Sequence, residues 1–235
     1  MSESLVLDPR YNGPPGTGHG GYVSGMLAGL LGANPAEVTL RLPPPLGRPL
    51  TVEREAGGVQ VYDDEAVVAE ALATDFDVVP PAPVSFDEAD EASIGYPGLK
   101  QHPFPTCLVC GPKRRAEDGF RIFGGPVGDG DRMAAAWVPP AWAADESGLV
   151  GMEFVWAALD CPGGWSLHVE MPGRHAVLGR LAARLIAPVT PGARHVIMAW
   201  PLGFEGKKGY AGSALLTEAG VLCALARSTW IRIQR

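Results

Sequence analysis

The sequence predicts an α+β protein in which a curved antiparallel sheet wraps around a central helix, an arrangement made twice and packed side by side. Two segments, at 20–31 and 151–159, are apolar on nearly every side, which is typical of buried helices. Short strand-like runs follow each of them, with connections too short for parallel crossovers. An acidic, proline-rich stretch at 79–91 separates the two halves. An internal duplication explains this order, whereas a mixed β-sandwich, the alternative, leaves both buried helices unexplained.

The first half, residues 1–80, is predicted to form an N-terminal repeat. Its helix covers Gly20–Leu31, a segment rich in small and apolar residues. Proline, glycine and aspartate separate the runs that follow. The predicted strands are Val38–Leu42, Leu50–Glu55, Val59–Tyr62 and Ala66–Val79. Residues 81–106 are predicted to be a linker or long crossover, because prolines recur along this stretch.

The second half, residues 107–235, is predicted to form a C-terminal repeat. A strand pair, Phe120–Phe123 with Met133–Val138, precedes a buried helix at Gly151–Leu159. Alternating or apolar runs predict the remaining strands, which are Ala176–Ala187, His195–Trp200, Gly209–Leu216 and Val221–Ile233. Each half thus offers one buried helix and several strands.

Composition excludes several classes of protein. With 46% apolar and 19% charged residues, the 235-residue chain can build a core. Its net charge of −7 argues against nucleic acid as a partner, since phosphate binding depends on clustered Lys and Arg. No signal peptide is visible, and no apolar run is long enough to cross a bilayer. Four cysteines are too few for a secreted disulfide framework, so we expect a cytoplasmic protein with reduced thiols.

Two motifs carry a family resemblance. The first runs from Asn12 through a glycine-rich turn to His19-Gly20-Gly21, at the entry to the first buried helix. The second is Cys107-Leu-Val-Cys110-Gly111, followed by Asp118-Gly-Phe-Arg-Ile. Together they resemble hot-dog-fold acyl-CoA thioesterases of the phenylacetate-pathway type. The resemblance implies a double hot-dog, with two antiparallel sheets that each wrap a central helix and pack as a pseudo-dimer.

The resemblance also implies where an active site lies. In the family's pattern, an Asp or Glu on the helix follows the histidine after nine positions. The first half has His19 but Ala28 at the ninth position, whereas the second half has Gly151 in place of the histidine and keeps Asp160. Dimeric members share the site across their interface. One composite site is therefore expected, in which His19 and Gly20 face Asp160.

Thioester hydrolysis needs donors to the carbonyl oxygen and a carboxylate that activates water or attacks the carbonyl. By the resemblance, Asp160 is the base or nucleophile, and the Gly20 and Gly21 N–H groups at the helix N-terminus polarise the carbonyl. His19 and Asn12 are expected to position the thioester or the water. The residues expected to contact the substrate are Gly21 and Tyr22.

Each candidate also has an ordinary structural role. Asp160 is suited to cap a helical turn that begins at Pro162, and Glu153 is a second carboxylate on the same apolar segment. His19 and Asn12 are residue types common at caps and turns. The alternative function is therefore a non-catalytic protein that binds acyl thioesters or lipids. An enoyl-thioester hydratase is disfavoured, because no Asp-x-x-x-x-His pattern precedes either helix.

The cysteines and the basic clusters are candidates for metal, redox or phosphate-binding sites. A structural turn is favoured for Cys107-x-x-Cys110 over a zinc or redox site, because no second ligand pair has comparable spacing. We therefore predict no metal and no cofactor. The basic clusters at 113–115 and 207–208 offer charge for coenzyme A phosphates, although such runs are usually just solvated. The expected partners are an acyl-CoA or acyl-carrier substrate and, by the resemblance, a second copy in a homodimer of double hot-dogs.

Overall fold

The computed structural model describes residues 3–55, 57–168 and 175–233. Within these ranges there are three α-helices: α1 is Gly20–Leu31, α2 is Phe86–Ser93 and α3 is Met152–Ser166. None of them combines the length and the apolar character needed to cross a lipid bilayer. Strands β1 to β11 are, in chain order, Glu3–Val6, Ala36–Leu40, Pro49–Glu55, Gly58–Asp63, Ala66–Ala73, Gly125–Val127, Arg132–Trp137, His175–Leu185, His195–Glu205, Lys208–Thr217 and Leu222–Ile233.

All of these strands belong to one antiparallel sheet, in the order β1-β3-β4-β5-β2-β8-β11-β10-β9-β7-β6. The pair β2–β8 joins the strands that precede α2 to those that follow it, and sets Ala36 opposite Ala183 and Thr39 opposite Arg180. The sheet expected in each half is therefore continuous with that of the other half. The outermost strands are β1 and β6, which are four and three residues long.

The two long helices pack against each other and against the sheet. An added Cβ at Gly25 of α1 would lie 2.4 Å from the Cα of Glu153 on α3. At Gly21 the added Cβ would lie 2.6 Å from the Cβ of Asp160. Because glycine has no side chain, α1 approaches the backbone of α3 closely at both positions. This contact brings the two halves of the chain together.

Both buried helices are confirmed, and α1 has the bounds predicted for it. It ends at Gly32, which adopts a left-handed conformation (φ 71°) and donates its N–H to the carbonyl of Ala28. The second helix, α3, continues through Pro162 to Ser166, beyond the predicted end. Asp160 therefore lies inside a helix. The interpretation of Asp160 as the cap of a turn that starts at Pro162 is wrong.

A helix that the sequence analysis missed lies between the two halves. It is α2, which begins with a capping box: Ser85 Oγ accepts the Glu88 N–H, and the Glu88 carboxylate accepts the Ser85 N–H. Phe86 and Ala89 are buried, and α2 packs against β7. The acidic composition suggested a solvated linker. The Ser-x-x-Glu spacing with two apolar residues is the signal that indicates a short amphipathic helix instead.

Most predicted strands are present, but Ala66–Val79 ends at Ala73, and the strand predicted at His195–Trp200 continues to Glu205. The pair predicted between Phe120–Phe123 and Met133–Val138 is an exception, because the first of these segments is not a strand. Its Phe120 N–H donates to the carbonyl of Leu108, in the loop that carries the cysteines. The strands that pair with β7 are β6 on one side and β9 on the other. The segment at 120–123 therefore supports the cysteine loop rather than the sheet.

Candidate active site

The candidate site is the meeting point of the N-terminus of α1 and the middle of α3. Asp160 Oδ2 accepts the Gly21 N–H at 2.7 Å, and His19 Nε2 lies 3.5 Å from the same oxygen. His19 and Asp160 are each 2% exposed. The histidine of one half and the carboxylate of the other are thus in contact.

His19 is the N-cap of α1. Its Nδ1 accepts the Tyr22 N–H at 3.3 Å, and its backbone N–H donates to the carbonyl of Tyr11 at 2.8 Å. Since Nδ1 is an acceptor here, the neutral ring carries its proton on Nε2. His19 therefore presents an N–H group toward Asp160 and toward the sulfur of Cys161, which lies 3.2 Å from Nε2.

Burial makes the carboxyl group of Asp160 unusual. It raises the pKa of Asp160 to about 6, although the neighbouring His19 and the Gly21 N–H both act to lower this pKa. The second oxygen, Oδ1, is buried and has no hydrogen-bond partner among the described residues. Because an unpaired buried carboxylate oxygen is costly, Oδ1 is suited to bind a ligand group or a water molecule.

A cavity of about 810 Å³ opens beside these residues. His19, Gly20 and Asp160 are part of its lining, to which both halves of the chain contribute. Much of the wall is apolar and is formed by Leu40, Trp165, Val177, Leu178, Trp230 and Ile231. A concave, mostly apolar space with a few polar groups is typical of a small-molecule binding site.

The two glycines at the start of α1 differ in what their N–H groups can do. Gly20 is the first residue of the helix, where N–H groups lack partners inside the helix. The Gly21 N–H is taken by Asp160. In the described ranges no acceptor is found for the Gly20 N–H, so this group rather than that of Gly21 is left for a ligand carbonyl.

Three cysteines line the same cavity. The sulfurs of Cys107 and Cys161 are 3.7 Å apart, and His102 Nε2 lies 3.2 Å from the sulfur of Cys110. His19 Nε2 and the sulfurs of Cys107 and Cys161 all lie within 4.8 Å of one another, so these three atoms could hold a metal ion. Sequence reasoning missed the grouping. Its one signal was that Cys161 directly follows the candidate carboxylate.

The thiols and the imidazole shift one another's pKa values. Hydrogen bonds from Cys110 and Cys161 lower the pKa of Cys107 well below its usual value, in spite of burial. Burial raises the pKa values of Cys110 and Cys161. Burial also acts to lower the pKa of His19, but Cys107 and Asp160 oppose it and the net shift is upward. Of these three thiols, Cys107 is therefore the one whose pKa is lowered, and burial raises the pKa values of the other two.

Three predicted site residues lie outside the cavity lining that the described residues form, namely Asn12, Gly21 and Tyr22. The Oδ1 of Asn12 accepts a hydrogen bond from the guanidinium of Arg114. The ring of Tyr22 packs against Tyr11 and Phe154. Neither side chain is part of the lining. Substrate positioning by Asn12 and substrate contact by Tyr22 stay predictions.

Arg114 belongs to one of the basic clusters suggested for phosphate binding, but it is only 9% exposed. Its guanidinium forms an ion pair with Asp118 at 2.7 Å and donates to the carbonyl of Arg10 at 2.7 Å. The suggestion that the cluster at 113–115 binds phosphate is therefore wrong for Arg114, whose donors are already used. Arg114 instead holds the loop before α1 to the cysteine loop.

Replacing Arg114 by methionine is expected to lower the free energy of unfolding by about 1.5–3 kcal/mol, because buried acceptors lose a charged donor. Denaturant unfolding followed by tryptophan fluorescence measures the loss. The matched control is Arg115→Met, an exposed neighbour that should change stability by less than about 0.5 kcal/mol. Equal stability of the two variants would contradict this role of Arg114.

No protein-family model and no curated protein matches the chain. Solved structures do match it. The tesB protein of Mycobacterium avium subs paratuberculosis is similar, with a TM-score of 0.67 and 10% sequence identity over 98% of this chain and 92% of that one. A provisionally assigned thioesterase II from Thermobifida fusca YX has a TM-score of 0.64 and 13% identity, over 98% of this chain and 92% of its own.

A provisionally assigned oleoyl thioesterase from Lactobacillus plantarum is similar over the whole length. Its TM-score is 0.59 at 10% identity, with 100% of this chain and 96% of that chain covered. At such identities the likeness concerns the fold, and one large antiparallel sheet packed on buried helices agrees with it. The chain has the hot-dog fold of these thioesterase structures along nearly its whole length.

Proposed function

We propose that this protein hydrolyses an acyl-CoA or acyl-carrier thioester in one composite site between its two halves. One observation carries the proposal. The Asp160 carboxylate contacts the N-terminus of α1, and its Oδ1 is unpaired among the described residues beside an apolar cavity. An acid/base group and a helix N-terminus thus border the same space, as acyl transfer requires. The shared fold with thioesterase structures supports this activity.

In the proposed reaction, the thioester carbonyl lies at the N-terminus of α1 and accepts the Gly20 N–H. Asp160 Oδ1 takes a proton from the attacking water, or attacks the carbonyl itself, in which case water cleaves the resulting anhydride. The tetrahedral oxyanion collapses, the carbon–sulfur bond breaks, and the departing thiolate takes up the proton that Asp160 removed from water or, on the anhydride route, a proton from solvent water. His19 and the Gly21 N–H hold Oδ2, so that Oδ1 remains directed at the substrate.

The apolar lining of the cavity supports a substrate with an apolar acyl group, which the enzyme would select by this group. Trp165, Leu178 and Ile231 are among the walls, and about 810 Å³ is enough for a drug-sized molecule. One neighbour in the structure comparison is named an oleoyl thioesterase, which agrees with an aliphatic chain. An exposed lysine in the lining, Lys100, offers positive charge to the phosphates of a coenzyme A or carrier arm.

We also propose that the chain arose by an internal duplication and that two chains form a dimer. Residues 1–80 and 107–235 are repeats of one unit, joined by 81–106 and packed as a pseudo-dimer. The side-by-side packing of α1 and α3 supports this, as does the β2–β8 pair that continues the sheet from one half into the other. A cytoplasmic location and a homodimer of such chains belong to the same proposal.

Release of free thiol from a panel of thioesters tests the proposed activity. The panel combines short, long and aromatic acyl groups, each on coenzyme A and on a carrier protein, with heat-denatured protein as the control. We expect turnover that depends on the acyl group, because the apolar walls contact that part of the substrate. Absence of turnover on every substrate would contradict the proposal. If long-chain acyl-CoA then still raised Tm, the alternative of a non-catalytic binding protein would be favoured.

A further inference from the structure

The thiol cluster, defined as Cys107, Cys110 and Cys161, has no part in the proposed hydrolysis. All three are free cysteines, at most 7% exposed, and line the cavity. Cys110 belongs to the same loop as Cys107, and its sulfur lies 3.2 Å from His102 Nε2. A buried cysteine is ordinarily a small apolar residue. Three thiols that converge next to the imidazole of His19 need another explanation.

We propose that His19, Cys107 and Cys161, whose ligand atoms lie within 4.8 Å of one another, bind a divalent cation of the zinc class, and that Cys110, which lies outside that group, completes the tetrahedron. Tetrahedral zinc holds sulfur at about 2.3 Å and nitrogen at about 2.0–2.1 Å, which puts two ligand sulfurs about 3.8 Å apart and a sulfur about 3.6 Å from a nitrogen. The sulfurs of Cys107 and Cys161 are 3.7 Å apart, and Cys161 Sγ is 3.2 Å from His19 Nε2. These separations are close to the edges of a zinc tetrahedron.

The sequence supplies one ligand pair and the fold supplies the other. Cys107 and Cys110 come from a single loop, with the two-residue spacing common in zinc sites. His19 and Cys161 are far apart in the chain but adjacent in space, because α1 packs against α3. A structural turn was favoured for the cysteine loop because a second ligand pair was missing. The packing of the helices removes that objection.

A second histidine supports the cluster from outside. His102 Nδ1 accepts the Phe104 N–H at 2.9 Å, so the neutral ring carries its proton on Nε2. That N–H donates to the sulfur of Cys110 at 3.2 Å. Outer hydrogen bonds of this kind orient metal ligands and stabilise them. A disulfide between Cys107 and Cys161 is a weaker explanation. The two sulfurs would have to move from 3.7 Å to about 2.05 Å apart, and the hydrogen bond from His102 to Cys110 would have no role in it.

Coordination changes two interactions of His19, the one with the Tyr22 N–H and the one between Nε2 and Asp160 Oδ2. Nε2 must offer its lone pair to the metal, so the ring proton moves to Nδ1 and the Tyr22 N–H loses its acceptor. That hydrogen bond is 3.3 Å long, longer than the usual length of about 2.9–3.0 Å. Asp160 keeps its hydrogen bond from Gly21 and is not a ligand. The metal site and the proposed base thus meet at His19 Nε2, and in the metal-bound form the Gly21 N–H alone holds Asp160 Oδ2.

Metal content of the purified full-length chain tests the proposal. The protein is produced with added zinc, purified without chelators or metal-affinity resin, and analysed by inductively coupled plasma mass spectrometry. We expect about one equivalent of zinc per chain, and a loss of most of it in Cys107→Ser and in Cys161→Ser. The matched control is Cys223→Ser, which removes a buried cysteine that is not part of the cavity lining formed by the described residues, and should keep the metal.

Cobalt titration of the unmodified chain keeps the proposal testable where a serine variant fails to fold. Thiolate ligation gives intense sulfur-to-cobalt charge-transfer absorption in the near ultraviolet, and added zinc should abolish it. Absence of this absorption together with absence of bound zinc would overturn the proposal, as would equal zinc in the Cys107→Ser and Cys223→Ser variants. Neither measurement uses a thioester, so a failure of the metal site is distinguishable from a failure of the proposed hydrolysis.

Discussion

Asp160→Asn is expected to lower kcat for thioester hydrolysis by at least about 10²-fold, because it removes the group that takes a proton from water or attacks the carbonyl. The two side chains have the same shape, so the buried position should still be filled. An asparagine oxygen can also still accept the Gly21 N–H that Asp160 accepts at 2.7 Å. The change therefore removes the acid/base chemistry while it keeps the contact between the helices.

Steady-state hydrolysis of the best substrate in the panel measures this effect, with circular dichroism to show that the variant is folded. Glu153→Gln is the matched control. It removes a carboxylate from the first turn of the same helix, outside the cavity lining that the described residues form. We expect Glu153→Gln to retain activity. An Asp160→Asn enzyme as active as the Glu153→Gln enzyme would exclude Asp160 as base or nucleophile.

Gly25→Ala is expected to lower the free energy of unfolding by about 3 kcal/mol, the upper end of the usual cost of overpacking a core. The added methyl group would lie 2.4 Å from the Cα of Glu153, a backbone atom that no side-chain rotation can move away. The two helices would have to separate. Because their contact also brings His19 to Asp160, we expect hydrolysis to fall together with stability.

Gly29→Ala is the matched control for this prediction. The residue is exposed on the same helix, and an added Cβ would have Met152 Sδ, at 3.9 Å, as its nearest neighbour. Since alanine favours a helix over glycine, this variant should gain up to about 1 kcal/mol. Urea unfolding of both variants measures the difference. Two variants of equal stability would show that α1 and α3 do not approach as closely as described.

Local signals in the sequence predicted α1 with its bounds. An apolar segment rich in small residues begins after a capping histidine and ends at Gly32, so start and stop are both marked. α3 was found from the same pattern, but its end was placed too early. Pro162 usually breaks a helix, and here the buried helix continues through it.

The candidate site was only partly predictable. The contact between His19 and Asp160 was expected from the family resemblance rather than from spacing, since the two residues are 141 positions apart. Cys161 could not be grouped with Cys107, because only the packing of α3 against the cysteine loop brings their sulfurs to 3.7 Å. Local patterns predict elements, whereas contacts between distant segments depend on the fold.

The short strands at the two ends of the sheet determine how this molecule can associate. Strands β1 and β6 expose few backbone groups on which another chain could add a strand, and β6 contains Pro126, which has no N–H to donate. Short edges of this kind disfavour growth by strand addition, a route to aggregation. We expect a second copy to associate through side-chain surfaces, and such an interface would leave the sheet at its present width.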